Sequence, residues 1–366
     1  SRRSGRSSPA TGVSSRLSAA SARPATAWIA SLSPWPEEFG LDRMQLLLEP
    51  LGHPERRYPA IHVVGTNGKS TATRTIAALL QAEGRRAGAY TSPHVSGWSE
   101  RIWIDGGEAD FEPAVARIRP EAEELGATQF EALTAAALAE FADREVDVAV
   151  VEAGLGGRLD ATNVVDAPVV LLTNVALEHT DVLGETPEEI AGEKLAVAHA
   201  ARIVVLPDNT YRHLIPKSAE IVTGGAREAA EAFLGRPTQS DPAVQLPGRL
   251  ERRGRELWDG AHNPAGTGWL RTALEEPYEV IVASILADKD ADAMLQDFAE
   301  IAPRLIATQS TNERALPASE LARLALQHFR HVDTEPDPKE ALARARESTD
   351  GRIVVTGSLY LLADLS

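Results

Sequence analysis

The chain contains no cysteine, which excludes disulfides, zinc–thiolate sites and thiol nucleophiles together. Long apolar runs are missing too: no stretch approaches the ~20 residues that a bilayer-spanning helix needs. Basic residues are outnumbered, with 37 Lys and Arg against 53 Asp and Glu and a formal net charge of −16. Nucleic acid is therefore not an expected partner, because phosphate backbones are bound by basic surfaces. A local basic pocket for a small anion is compatible with that balance. Lysine is scarce, with only five in 366 residues (Lys69, Lys194, Lys217, Lys289 and Lys339). What is there, 43% hydrophobic and 25% charged residues, is the composition of a globular protein with a proper core. The length suits two domains at roughly 100–200 residues each. The expectation is a cytoplasmic monomer with no membrane attachment.

Residues 1–33 differ from the rest, being rich in Ser, Ala and Arg, and the first acidic residue is Glu37. They read as a disordered or leader-like tail. From Pro34 onward, apolar runs alternate with helical patterns. Strands are predicted at Ala60–Gly65, Ala87–Thr91, Val146–Glu152, Pro168–Thr173 and Arg202–Leu206. After a Pro- and Gly-rich stretch they resume at Val280–Ser284, Leu305–Thr308 and Ile353–Thr356. Helices are predicted at Ser70–Glu83 and Glu131–Ala142. Near-continuous apolar strands separated by helices indicate parallel sheets buried on both faces. Two such series predict two α/β domains, residues 34–247 and a smaller 248–366, with the joint near Gln245–Glu251.

Four groups of residues carry chemistry. Gly65-Thr66-Asn67-Gly68-Lys69-Ser70-Thr71 lies between a predicted strand and a predicted helix. Glycines let such a loop curl until several backbone N–H groups converge. The helix N-terminus and Lys69 add positive charge, and a hydroxyl at Ser70 or Thr71 can reach a metal. The string is shorter than the general P-loop pattern, yet in this context it reads as a polyphosphate cradle. Glu152 stands where a buried strand ends, ahead of the glycine-rich Gly154–Asn163. A carboxylate there is costly unless paired or coordinated, and Mg²⁺ is one ion it suits; a strand-end Glu capping the loop is the plainer alternative. His179 and Lys194 read by themselves as a loop histidine and a helix-face lysine. Around the joint, Arg249 can clamp phosphate oxygens and Asp259 can accept from a ribose, or both belong to a linker turn.

Taken together, these strings resemble the folylpolyglutamate synthase/dihydrofolate synthase family, a branch of the Mur ligase superfamily. The match runs in order from Phe39-Gly40-Leu41-Asp42-Arg43-Met44 to Thr356-Gly357-Ser358-Leu359-Tyr360. It includes Tyr90-Thr91-Ser92-Pro93-His94, Ser99-Glu100-Arg101-Ile102, Gln129-Phe130-Glu131-Ala132-Leu133-Thr134 and Asp288-Lys289-Asp290. The resemblance implies a P-loop ATPase-like parallel-sheet domain that binds ATP and a pterin substrate, and a smaller Rossmann-like glutamate-ligase domain. It implies an ATP-dependent ligase that adds L-glutamate to dihydropteroate or folates through an acyl phosphate, releasing ADP and phosphate.

By position, the resemblance gives Thr66, Asn67, Gly68, Lys69, Ser70 and Thr71 to ATP, with Arg249, Asp259, His262 and Asn263 completing that site. Ser92 and Glu152 would hold one Mg²⁺ and His179 a second, supported by Lys194 as a carbamate. Lys69, Lys194 and His179 form the expected catalytic group. Thr128, Gln129, Phe130, Glu131, Leu159, Asp160 and Ala161 would line the pterin-substrate site. The sequence departs from the family pattern in a short stretch between Lys194 and Arg249. It also has no Asn where the helix matching Gly224–Ala230 begins, the usual adenine contact. Another Mur-type amino-acid ligase, and a nucleotide-binding paralogue that has lost turnover, are the rival readings.

Overall fold

A computed structural model describes residues 24–366. The first sheet holds β1 (Ala60–Val64), β2 (Ala87–Tyr90), β3 (Ile102–Ile104), β4 (Gly107–Glu108), β5 (Val148–Glu152), β6 (Val169–Leu172), β7 (Ile203–Leu206) and β8 (Glu220–Thr223). Their order is β4-β3-β2-β5-β1-β6-β7-β8. From β2 to β8 all neighbours pair parallel, and β3 pairs antiparallel with both β2 and β4. Every residue of β1, β2, β5 and β6 is buried, because helices cover both faces. Helix Lys69–Ala82 and helix Ala226–Leu234 pack Ile76, Leu80, Ala229 and Ala230 on Ile61, Val63 and Val150. On the other face, helices Phe111–Glu124 and Gln129–Asp143 pack on Val64, Val151 and Leu172.

The second sheet holds β9 (Glu251–Arg253), β10 (Glu256–Trp258), β11 (Val280–Ala283), β12 (Arg304–Ala307), β13 (His331–Thr334) and β14 (Ile353–Thr356), in the order β13-β12-β11-β14-β10-β9. It is parallel except for the β9–β10 pair. Helices lie on both of its faces. The two units share packing: Val95, from the loop after β2, is buried in the second unit's core beside Leu359 and Leu362. Gly248 passes so close that a side chain there would meet Leu362 and Val95. Among the described residues, no helix is long and apolar enough to cross a membrane.

The eight predicted strands are all present with ends shifted by a residue or two. Six further strands escape the apolar-run criterion. β8 and β13 are outer strands with exposed ends, and β3, β4, β9 and β10 have two or three residues each. Strands this short, or half-solvated, leave no long apolar run. The tail expected over residues 1–33 lies partly outside the described residues. Within them it needs correction: Ala25–Ser31 is a helix that buries Ala25, Trp28 and Ile29 against the first unit. The Ala25 N–H donates to both carboxylate oxygens of Glu112, and the buried Trp28 and Ile29 outweigh the Arg- and Ser-rich character of the preceding stretch.

Candidate active site

In an open parallel sheet the loops at the carboxyl ends of the strands form the crevice where ligands bind. Here four such loops converge. Gly65–Gly68 follows β1, Thr91–Ser92 follows β2, Glu152 ends β5, and Thr173–Asn174 follow β6. With residues of the second unit they line one cleft of about 1860 Å³.

The loop after β1 is tied down from β6. The Thr66 N–H donates to the Asn174 carbonyl at 3.0 Å and the Asn67 N–H to Asn174 Oδ1 at 2.9 Å. Asn174 Nδ2 and Thr173 Oγ1 both donate to the Asn67 carbonyl. Gly65 has φ +148°, and a Cβ there would lie 1.9 Å from Thr173 Oγ1, so no side chain fits. Gly68, at φ +78°, caps helix Lys69–Ala82. Its left-handed backbone turns the chain into the helix, leaving the first N–H groups and the positive end of the dipole at the cleft. Lys69 Nζ folds back to the Thr66 carbonyl at 3.2 Å, holding a cation over the loop.

Glu152 is the centre of the metal question. It is 1% exposed, accepts from Ser70 Oγ at 3.1 Å and from the Ser92 N–H at 3.0 Å. Burial pushes its carboxyl pKa up, opposed by Lys69, by those two hydrogen bonds and by Arg249. Among the described residues no group of three His, Asp or Glu side chains is placed to hold a metal ion by itself. Mg²⁺ takes one or two carboxylates, hydroxyls and waters and completes its octahedron with phosphate oxygens. Ser70, Ser92 and Glu152 present a hard oxygen set of that kind at the phosphate loop, and they fit the ion.

Lys194 is not an exposed helix-face lysine. It is 5% exposed, and its Nζ donates to the Gly65 carbonyl at 3.0 Å. Burial and then the nearby Lys69 charge lower its pKa to about 8. His179 has a left-handed backbone, φ 51°, at the start of helix Thr180–Leu183. Burial lowers its pKa, and its Nε2 lies 4.0 Å from Glu178 Oε1. Glu178 ties the units together: its Oε1 is 3.1 Å from Lys289 Nζ and 3.5 Å from His262 Nε2. Burial alone pushes the Glu178 carboxyl up, but His262, Lys289 and His179 outweigh it and hold it well below the usual carboxylate range. Asn263 caps helix Pro264–Ala273 through Gly266 and exchanges amide hydrogen bonds with Asn67 at 3.1 and 3.2 Å. Asp259 is 4% exposed, and its oxygens take the Leu250 and Ala261 N–H groups. It shapes the turn from which Arg249 faces the cleft.

The residues expected for the pterin substrate lie in the same cleft, with unequal freedom. Thr128 and Glu131 form a reciprocal capping box on helix Gln129–Asp143, and Glu131 also pairs with Arg43. Asp160 accepts from the Leu155 N–H and from Thr162, which fixes the loop carrying Leu159 and Ala161. Gln129 donates from its amide to the Ile29 carbonyl. The open surface is apolar: the Phe130 ring and Leu159, which is 44% exposed. Two aromatic residues given no site role above, Trp35 and the Phe39 that opens the family string, line the cleft as well. Trp35 and Phe39, 52% and 42% exposed, stand with ring centroids 6.4 Å apart. Ala226, where the expected Asn is missing, lines the cleft too.

All the site residues read from the sequence border this cleft except Asn263, which reaches it through Asn67. Residues 63–241 match the Mur ligase middle domain, and residues 248–359 the glutamate ligase domain of Mur ligases. A dihydrofolate synthase/folylpolyglutamate synthase of Mycobacterium tuberculosis is 32% identical over 86% of this chain and 83% of its own length. That alignment extends over 414 positions, more than the 366 residues here, so the relative carries internal segments this chain lacks. The folylpolyglutamate synthase of the same organism, solved with ADP and AMPPCP, superposes with a TM-score of 0.83 at 31% identity, covering 89% of this chain and 94% of that one. The bifunctional synthase of Yersinia pestis, complexed with AMPPNP and Mn ion, gives 0.82 at 28% identity over 94% and 97% of the two chains. The chain belongs to the dihydrofolate synthase/folylpolyglutamate synthase family of Mur ligases and is an ATP-dependent ligase.

Proposed function

We propose that the protein adds L-glutamate to dihydropteroate or to folates through an acyl phosphate, with release of ADP and phosphate. The observation that carries this reading is that the Lys69 loop and the buried Glu152–Ser70–Ser92 group share a cleft with Arg249, His262 and the apolar surface at Phe130. Residues 34–247 would bind ATP and the acceptor, and residues 248–366 would close over them. Phosphoryl transfer asks the protein chiefly for alignment and neutralisation of charge. Lys69 and Arg249 supply fixed positive charge beside the transferring group. Glu152, Ser70 and Ser92 would hold Mg²⁺, which when bound screens phosphate charge and orients it for in-line attack; His179 would face a second ion. Phe130 and Leu159 would seat the flat ring system of the acceptor. The contacts of Asn67 with Asn263 and of Glu178 with Lys289 join the two units over the cleft, which would keep water from the acyl phosphate.

The test is one assay of the purified protein with Mg-ATP and glutamate, comparing dihydropteroate with tetrahydrofolate as acceptor. Acceptor-dependent ADP and phosphate are expected. AMP and pyrophosphate would rule out the acyl-phosphate route, and ATP binding without turnover on either acceptor would favour the paralogue.

Lys194 is proposed to act as a carbamate. Its buried amine, with pKa about 8, is neutral in a far larger share than an ordinary lysine at neutral pH, and neutral amines are what CO₂ takes up. Lys194→Ala is expected to abolish ligation, with partial return on adding short-chain carboxylic acids. Full activity of rigorously CO₂-depleted enzyme would overturn the carbamate.

A further inference from the structure

Arg101 belongs to a string that carries the family resemblance, yet nothing above gives it a task. It closes the short 3₁₀ turn Trp98–Arg101 ahead of β3, is only 8% exposed, and borders the cleft. A guanidinium so deeply placed is costly unless an anion completes it. Among the described residues no carboxylate is in contact with it. Its Nε donates to His94 Nδ1 at 2.9 Å, and a ring nitrogen that accepts carries no proton, so this partner brings no charge. The acids that act on Arg101 through space, Glu152 and Glu100, are engaged elsewhere. Glu100 takes the Val95 and Ser96 N–H groups, and Glu152 takes Ser70 and the Ser92 N–H. The Trp98 ring centroid lies 5.1 Å from the guanidinium carbon, which restrains the group without neutralising it.

Position says which anion would suit it. On one side of Arg101 stand Ser92 and Glu152, at the phosphate loop. Tyr90, whose hydroxyl meets the guanidinium, leads the other way, its ring pairing with Phe130 at 6.0 Å. An acceptor whose rings rest at Phe130 and whose carboxylate must meet a phosphoryl group beside Lys69 passes this point. We propose that Arg101 holds the carboxylate of the pteroate-type acceptor and so sets which acids are ligated. With Nε donating to His94 and the Tyr90 hydroxyl beside the guanidinium, the terminal nitrogens would grip the oxygens of that carboxylate in the fork geometry that lysine cannot reproduce. The inference rests on the ligase reading above and adds the residue that recognises the acid.

The test uses the full chain with Arg101→Gln and Arg101→Lys. Arg101→Gln should raise KM for dihydropteroate by about 10- to 100-fold, as for loss of a charged hydrogen-bonded pair, with KM for ATP and glutamate within about 3-fold. Arg101→Lys keeps the charge, guards against a folding artefact, and should fall in between. In equilibrium titrations the unaltered protein should prefer dihydropteroate to its carboxamide analogue, and Arg101→Gln should bind the two alike. A variant that keeps the preference, or a shift that falls on KM for glutamate instead, overturns the assignment. Ligation of no pteroate-type acid by the unaltered protein would sink the ligase reading itself; normal ligation with unshifted Arg101 variants would sink only this inference.

Discussion

Lys69→Ala is expected to lower the ligation rate by roughly 10²–10³-fold, the loss seen when one fixed electrostatic group is taken from a developing charge. The side chain makes a single hydrogen bond, to the Thr66 carbonyl. The loop itself is held by Thr173 and Asn174, so the fold should survive. Lys69 also acts on its neighbours: it lowers the pKa of Lys194 and opposes the rise at Glu152. Its removal should therefore push the Lys194 amine up from about 8, leaving less of it neutral at a given pH. The expected signature is a kcat loss that grows toward lower pH, measured by steady-state kinetics across pH 6–9. Turnover unchanged by the substitution would take the loop out of the mechanism.

The phosphate loop was legible because its demand is conformational. Gly65 and Gly68 occupy backbone geometries that few residues adopt, and a lysine follows at once. The strands were legible where both faces are covered, as in β1 and β5. What depends on distant parts of the chain was not. Lys194 sits in a sequence, Gly192-Glu193-Lys194, that looks like any solvated helix face; only the Gly65 carbonyl, far away in sequence, gives its amine a buried partner. The Asn67–Asn263 exchange joins the two units, and no pattern within either unit announces it. Trp35 was hidden for another reason, and Phe39 was read only as the start of the family string. They adjoin an Arg- and Ser-rich segment whose composition argues for a tail, whereas Gln129 and Ser33 dock their stretch onto the start of helix Gln129–Asp143. Glu131 matched the family string, but its capping box with Thr128 shows that part of such a match reflects helix construction.

Glu152→Gln separates the cost of the metal site from its use. Glutamine has the same shape, and its amide can accept from the Ser92 N–H and donate to Ser70 Oγ, so both hydrogen bonds of the site are replaceable. Only the charge is lost. Mg-dependent turnover should fall by roughly two to three orders of magnitude and recover partly as Mg²⁺ is raised, because a neutral amide is a poorer ligand for a hard cation. Without nucleotide or metal, stability should move the other way. Burial raises the Glu152 pKa above its unfolded value, so the folded state is penalised once the unfolded carboxyl ionises, and the penalty levels off above the folded pKa. The Gln variant should match the parent below about pH 4. It should exceed it by about 1–2 kcal/mol near pH 8, where a buried charge is relieved. Urea titrations at the two pH values measure this directly. A less stable Gln variant with undiminished magnesium-dependent turnover would mean that Glu152 is a strand-end cap for the glycine loop, and that the cation is held elsewhere.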